Sequence, residues 1–250
     1  MTGRRLVRPV LIAAGLLALW EAAVWLNSIP HYILPPPSLV VLEFIDRGDL
    51  LAEHALWTTI EIALGLVAGV SLGSAVALLM ARFAALRAWG VPLVVVSQAV
   101  PVFAIAPLLV LWLGYGIASK IAMAVLVIFF PVASAFLDGL RRVDPGWLDL
   151  ARLMGASPAA VLFQIRLPAA LPAFASGVRV AAAVAPIGAV IGEWVGASAG
   201  LGYLMMQQLA RGQTALAFAA LVVLAAIGVA LYFLVDALLR RAMPWIPQQS

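Results

Sequence analysis

At 250 residues the chain is 65% hydrophobic and only 10% charged, where a soluble domain carries about 25% charged residues, so water is not its main solvent. The net charge of +4 comes from basic residues that are nearly all arginine and sit between apolar runs, which is a topology signal rather than a nucleic-acid footprint. No cysteine is present, which excludes disulfides, thiol catalysis and cysteine-held metals.

Apolar runs at 9–26, 58–80, 90–112, 117–137, 172–195 and 216–238 approach the ~20 residues that cross a bilayer. They predict a single all-helical integral membrane domain, 1–250, with about six transmembrane helices. The first run follows Arg4, Arg5 and Arg8 and continues through Trp20 to Trp25 with no small-residue cleavage site, so it reads as a signal anchor. The loop from Asn27 to Trp57 holds Glu43, Asp46, Asp49 and Glu53, and its Ser38–Glu53 stretch predicts a short surface helix capped by Ser38 after Pro35-Pro36-Pro37.

Gly65, Gly69 and Gly73 in the second span, and Gly188, Gly192, Gly196 and Gly200 in and after the fifth, repeat at four-residue spacing and predict faces of close helix contact. The third span contains Pro92, Pro101 and Pro107 and is expected to kink. Placing Arg4, Arg5, Arg8, Arg82, Arg87, Arg141, Arg142, Arg152, Arg166, Arg179, Arg240 and Arg241 on one side leaves only Arg47, Lys120 and Arg211 on the other. That distribution predicts both termini in the cytoplasm.

The longest cytoplasmic connection, 138–171, has a readable local grammar. Asp144-Pro145 is a cap followed by a first-turn proline, Gly155 ends the resulting helix near Met154, and Ser157-Pro158 repeats the signal for a second helix that Pro168 is expected to close. Trp147, Leu150, Met154, Val161, Leu162 and Ile165 give this loop apolar faces, which predicts that it packs on something.

Asp149, Leu150, Ala151, Gly155, Ile165, Leu167 and Pro168 resemble, in register, the cytoplasmic motif of permease subunits of binding-protein-dependent importers. That motif runs Glu-Ala-Ala, three residues, Gly, nine residues, Ile, one residue, Leu-Pro. Asp149 replaces the Glu and Leu150 the first Ala, neither of which moves the turn. The resemblance implies a type I ATP-binding-cassette (ABC) importer permease fold and a loop that docks in a groove of an ATPase subunit. It also implies a homodimer of permeases against two ATPase copies, with ATP and Mg on the ATPase and no cofactor on this chain. A periplasmic or lipid-anchored solute-binding protein completes the implied system in a bacterial inner membrane. The one lysine, Lys120, follows Ser119 in no phosphate-binding loop, so the nucleotide must be held elsewhere.

Leu34-Pro35-Pro36-Pro37-Ser38, Trp112-Leu113-Gly114-Tyr115-Gly116, Phe129-Phe130-Pro131, Gly192-Glu193-Trp194 and Ser198 to Tyr203 are similar to the nitrate, sulfonate, taurine and thiamine-precursor branch. Within it, Ser97-Gln98-Ala99-Val100-Pro101 and Asp138 to Trp147 look most like permeases for hydroxymethylpyrimidine or related precursors.

Four residues are candidates for the substrate pathway: Gln98, Phe103, Glu193 and Trp194. Glu193 is either a pathway carboxylate or an interfacial residue beside Trp194 of the aromatic belt. Gln98 either bonds a heteroaromatic solute or bridges helices. Phe103, Trp112 and Tyr203 carry flat faces for stacking, with packing as the alternative. Glu21, Glu61 and Asp236 are expected at span ends, and Arg179 either pairs with a carboxylate or serves as an anchor, with the anchor favoured. His31 and His54 lack a ligand set for a metal, and no catalytic cluster is visible. A proton-driven secondary transporter through Glu61, Glu193 or Asp236 is the competing class; a membrane enzyme acting on lipid would need a polar cluster that is not seen.

Overall fold

The computed structural model describes residues 3–245, with side chains from Leu11 onward; the side chains of Arg4, Arg5 and Arg8 lie outside that set. Among the described residues all regular structure is helical: α1 Gly3–Leu26, α2 Pro37–Asp46, α3 Gly48–Arg82, α4 Ala84–Ala99, α5 Val102–Leu113, α6 Ile117–Arg141, α7 Pro145–Leu153, α8 Pro158–Ala160, a π-helical turn Val161–Arg166, α9 Leu167–Gly196, α10 Leu201–Ala210 and α11 Thr214–Ala242. Four helices are long and apolar enough to cross a membrane, namely α3, α6, Pro158–Gly196 and α11. The pair α4 and α5 is long and apolar enough only when taken together, as a broken span or a re-entrant loop, and the described apolar part of α1 is Leu11–Leu26.

The third expected span is therefore not one kinked helix but two, turned by 100° at the break. Val100 and Pro101 are both extended, with ψ of 119° and 120°. A residue before proline is pushed out of the helical region, and proline itself offers no N–H to continue the ladder.

The chain divides into two compact units, Met1–Trp57 with Ala199–Ala225 and Thr58–Ser198 with Ala226–Ser250. In the first, α2 begins at Pro37 rather than Ser38 and stops at Asp46, while Glu53 already belongs to α3. Ser38 does not cap it. Glu21 does: its carboxylate accepts from the Ser38 N–H at 3.0 Å and the Ser38 Oγ at 2.8 Å, and also from Trp25 Nε1 at 2.7 Å. A carboxylate at a helix N-terminus satisfies an orphan donor and complements the dipole. Glu21→Ala should accordingly lower the melting temperature of the purified protein without affecting membrane insertion. Elsewhere in this unit, His54 Nδ1 accepts the Gly200 N–H at 3.0 Å and its ring stacks on Tyr203, which occupies a face expected to be available for solute.

In the second unit α6 is the central element, and α9 is its most extensive partner. Gly65, Gly69 and Gly73 of the first glycine row and Gly188 and Gly192 of the second meet α6 within the same chain, while Gly196 meets Val110 of α5. A methyl group added to Gly69 would lie 2.6 Å from Ile128 Cγ2, one on Gly188 2.7 Å from the Ala124 Cα, and one on Gly65 would collide with the Ala124 side chain. Only a missing Cβ permits that approach. Ile62, Ala124, Ile128, Val132, Ala181, Ala182 and Ala185 fill the core between these helices.

Candidate functional site

The loop after α6 follows its sequence grammar closely. Asp144 Oδ1 accepts the Gly146 N–H at 2.7 Å, α7 runs Pro145–Leu153, and Gly155 turns the chain with φ of +77°. Ser157 Oγ accepts the Ala160 N–H at 3.2 Å to start the next segment. Pro168 does not close that segment. The Leu167 N–H donates to Leu162 O, five residues back, and this wider turn passes the proline into the first positions of α9, where its missing N–H costs no bond. The two predicted loop helices are thus one short helix and the inner end of a membrane helix.

Leu162 packs into the core with Met80, Ala133, Phe136 and Leu140, and Ala151 is buried. The other apolar side chains of α7 and its C-cap are bare: Trp147, Leu150, Leu153 and Met154 are 62%, 59%, 86% and 79% exposed. Spacings of three and four place Trp147, Leu150 and Met154 on one face. Beside them, Arg152 Nη1 donates to Asp149 Oδ1 at 2.9 Å.

A second feature lies at the break between α4 and α5. Ser97, Gln98, Pro101, Phe130, Val180 and Val184 are among the residues that line a cavity of ≈ 400 Å³. Its walls are mainly aliphatic and aromatic, and Gln98 supplies the amide. Of the four pathway candidates, only Gln98 lines it. Phe103 and Trp194 are 56% and 43% exposed on the surface, and Glu193 is buried elsewhere.

The buried charges form a third group. Lys120 Nζ donates to Glu61 Oε1 at 2.7 Å, and Thr58 Oγ1 donates to Glu193 Oε1 at 2.6 Å. Glu61, Glu193 and Thr58 are at most 1% exposed, so all three point into the protein. Lys120 likewise is not a free charge of the outer loop. Arg179 Nε donates to Asp236 Oδ1 at 2.7 Å, and Arg240 also donates to Asp236, so Arg179 is a pair member rather than an anchor. Among the described residues no group of three or more His, Cys, Asp or Glu side chains could hold a metal ion.

The family described as "Binding-protein-dependent transport system inner membrane component" matches residues 62–245, an interval that contains the loop, the cavity and the Arg179–Asp236 pair and begins just after Glu61. The chain belongs to that family. The permease is 53% identical to a probable ABC transporter permease protein of Haemophilus influenzae over 95% of this chain and 97% of that one. It is 34% identical to the formylaminopyrimidine transport permease protein ThiX of Halalkalibacterium halodurans, over 97% of each chain. Relatives of comparable identity are named for riboflavin, aliphatic sulfonates and taurine. Its fold is that of a chain of a crystallised amino acid ABC transporter with histidines, at a TM-score of 0.61 and 19% identity over 82% of this chain and 98% of that one. It is a type I ABC importer permease subunit of the inner membrane, a transport protein rather than an enzyme.

Sequence reasoning offered a carboxylate partner for Arg179 as its second reading and missed the Lys120–Glu61 pair. A lone lysine in an apolar run demands a carboxylate, which is a usable signal. Which carboxylate is not readable, since 59 residues separate Lys120 from Glu61.

Proposed function

We propose that this permease works as a homodimer with two ATPase subunits, and carries a small heteroaromatic solute of the hydroxymethylpyrimidine class delivered by a periplasmic or lipid-anchored binding protein. The observation that carries the coupling role is the apolar ridge Trp147, Leu150 and Met154 on a capped helix, left exposed on a cytoplasmic loop. Exposed apolar patches of this kind mark partner surfaces. Asp149, Leu150, Ala151 and Gly155 set the ridge and its turn, and Ile165, Leu167 and Pro168 join it to α9. ATP and Mg²⁺ sit on the ATPase. Closure of the ATPase pair draws the two loops together and reorients the spans, with no covalent chemistry on this chain. Both termini are placed in the cytoplasm by the arginine distribution.

The aliphatic and aromatic cavity with one amide at Gln98 supports a flat, uncharged heteroaromatic over a sulfonate, taurine or nitrate, since an anion in such walls would lack a cation. A proton-driven cycle is disfavoured because Glu61, Glu193 and Asp236 are each already engaged by Lys120, Thr58 and two arginines. The test is to purify the binding protein encoded alongside the permease and identify what it retains. A pyrimidine is the expected ligand. Retention of taurine, a sulfonate or nitrate with no pyrimidine binding overturns the solute and leaves the coupling role standing.

A further inference from the structure

A cavity of ≈ 200 Å³ opens where the inner end of α3 meets the loop, and Arg82, Arg152 and Arg166 line it together with Val161 and Leu162. The three guanidinium groups come from three elements: the last turn of α3, α7 and the π-helical turn. No carboxylate is among the lining residues. Asp149 reaches Arg152 from outside the cavity, in a pair whose side chains are 65% and 66% exposed and so well screened. Arg82 also lies over the Phe83 ring, 5.2 Å from its centroid.

The decisive atom is Arg166 Nε. It is buried and donates to no partner. Buried donors without acceptors are uncommon because each forfeits its hydration, and the cost is larger when the group is charged. Three cations converging on a cavity, one with an unused donor, require an anion with several acceptor oxygens. A phosphate group meets that need, since the planar guanidinium fork matches its oxygens in pairs.

We propose that this cavity is a phosphate-binding site on the loop side of the permease, filled by the headgroup phosphate of an anionic phospholipid or by a soluble phosphate of the same chemistry. Arg82 ends a membrane helix, which puts the cavity at the depth of lipid headgroups, and basic pockets between membrane helices on the cytoplasmic side bind such lipids. An occupied site ties the coupling loop to the end of α3 through the shared anion, independently of the ATPase.

The experiment uses the full-length permease purified in detergent without the ATPase, so its failure leaves the coupling role untouched. Retention of phosphatidylglycerol and of phosphatidylcholine is counted by native mass spectrometry, and inorganic phosphate is titrated against thermal unfolding. Wild type should favour phosphatidylglycerol, and Arg166→Gln should weaken that preference by about tenfold, the worth of one charge-assisted bond. Arg82→Gln, at an exposed side chain, reads the same contact where Arg166→Gln folds poorly. Phosphatidylglycerol retention with no response to phosphate assigns the site to lipid, and stabilisation by phosphate alone assigns it to a soluble ester. The proposal is overturned by equal retention of both lipids with no response to phosphate, or by variants that bind both probes like wild type. It is equally overturned if, in a separate capture assay with the ATPase subunit added, capture is all that the variants lose, which would make the cavity a dock for acidic side chains of that subunit.

Discussion

Gly155→Val is expected to abolish solute uptake while leaving the protein in the membrane at normal abundance. At φ of +77° the backbone lies where a β-branched residue is strained by about 1 to 3 kcal/mol, although nothing lies within 4 Å of an added Cβ. The penalty is therefore conformational, and the turn relieves it by swinging α7 away from its present direction. All membrane spans stay as they are, so insertion survives and the exposed ridge of Trp147, Leu150 and Met154 is mispresented. Asp149→Arg acts by another route. Its pair with Arg152 is exposed and worth little to stability, so the fold persists while the docking face gains positive charge. Capture of the ATPase subunit and uptake into vesicles, with membrane abundance as control, read both variants. Normal capture and normal uptake by both remove the loop from the coupling mechanism.

Lys120→Met should be among the most destabilising single changes in the protein, at about 3 to 5 kcal/mol. It leaves the Glu61 carboxylate, 1% exposed, without its cation in a low-dielectric interior. Adding Glu61→Gln removes the orphaned charge, so the double variant should recover most of the loss, a coupling that a double-mutant cycle measures directly. Thermal unfolding in detergent is the readout. An unchanged melting temperature for Lys120→Met alone shows that the pair does not hold the fold, and failure of Glu61→Gln to rescue shows that the loss lies in packing rather than charge.

The loop from Asp144 to Ser157 was legible because its signals are local: a cap, a proline and a glycine act within one turn of the residues they control. The spans were legible for a similar reason, since length and apolarity are summed along the chain. The 100° break at Val100 and Pro101 was only half visible, because a proline in a membrane helix usually bends it, and the additional extended residue that completes the turn depends on what packs around it. Glu21 and Ser38, or Lys120 and Glu61, meet across chain separations that carry no periodic signal. Pro168 misled for a physical reason: a proline ends a regular helix, but a preceding π turn has already spent its register on a five-residue bond.

That turn has a mechanical consequence. Beyond it, α9 runs unbroken for 30 residues from Leu167 to Gly196, a rod of about 45 Å at the usual rise per residue. The π turn joins α8 to α9 in one helical run, Pro158–Gly196, which carries Pro172 and Pro186 and follows α7 across the Gly155 turn. A tilt of about ten degrees at its inner end sweeps the outer end through about 8 Å. In the homodimer proposed above, spin labels at the two ends of α9, each measured against the same reference position in the other copy, would see a small approach at the loop end and a larger excursion at the far end when nucleotide binds to the ATPase.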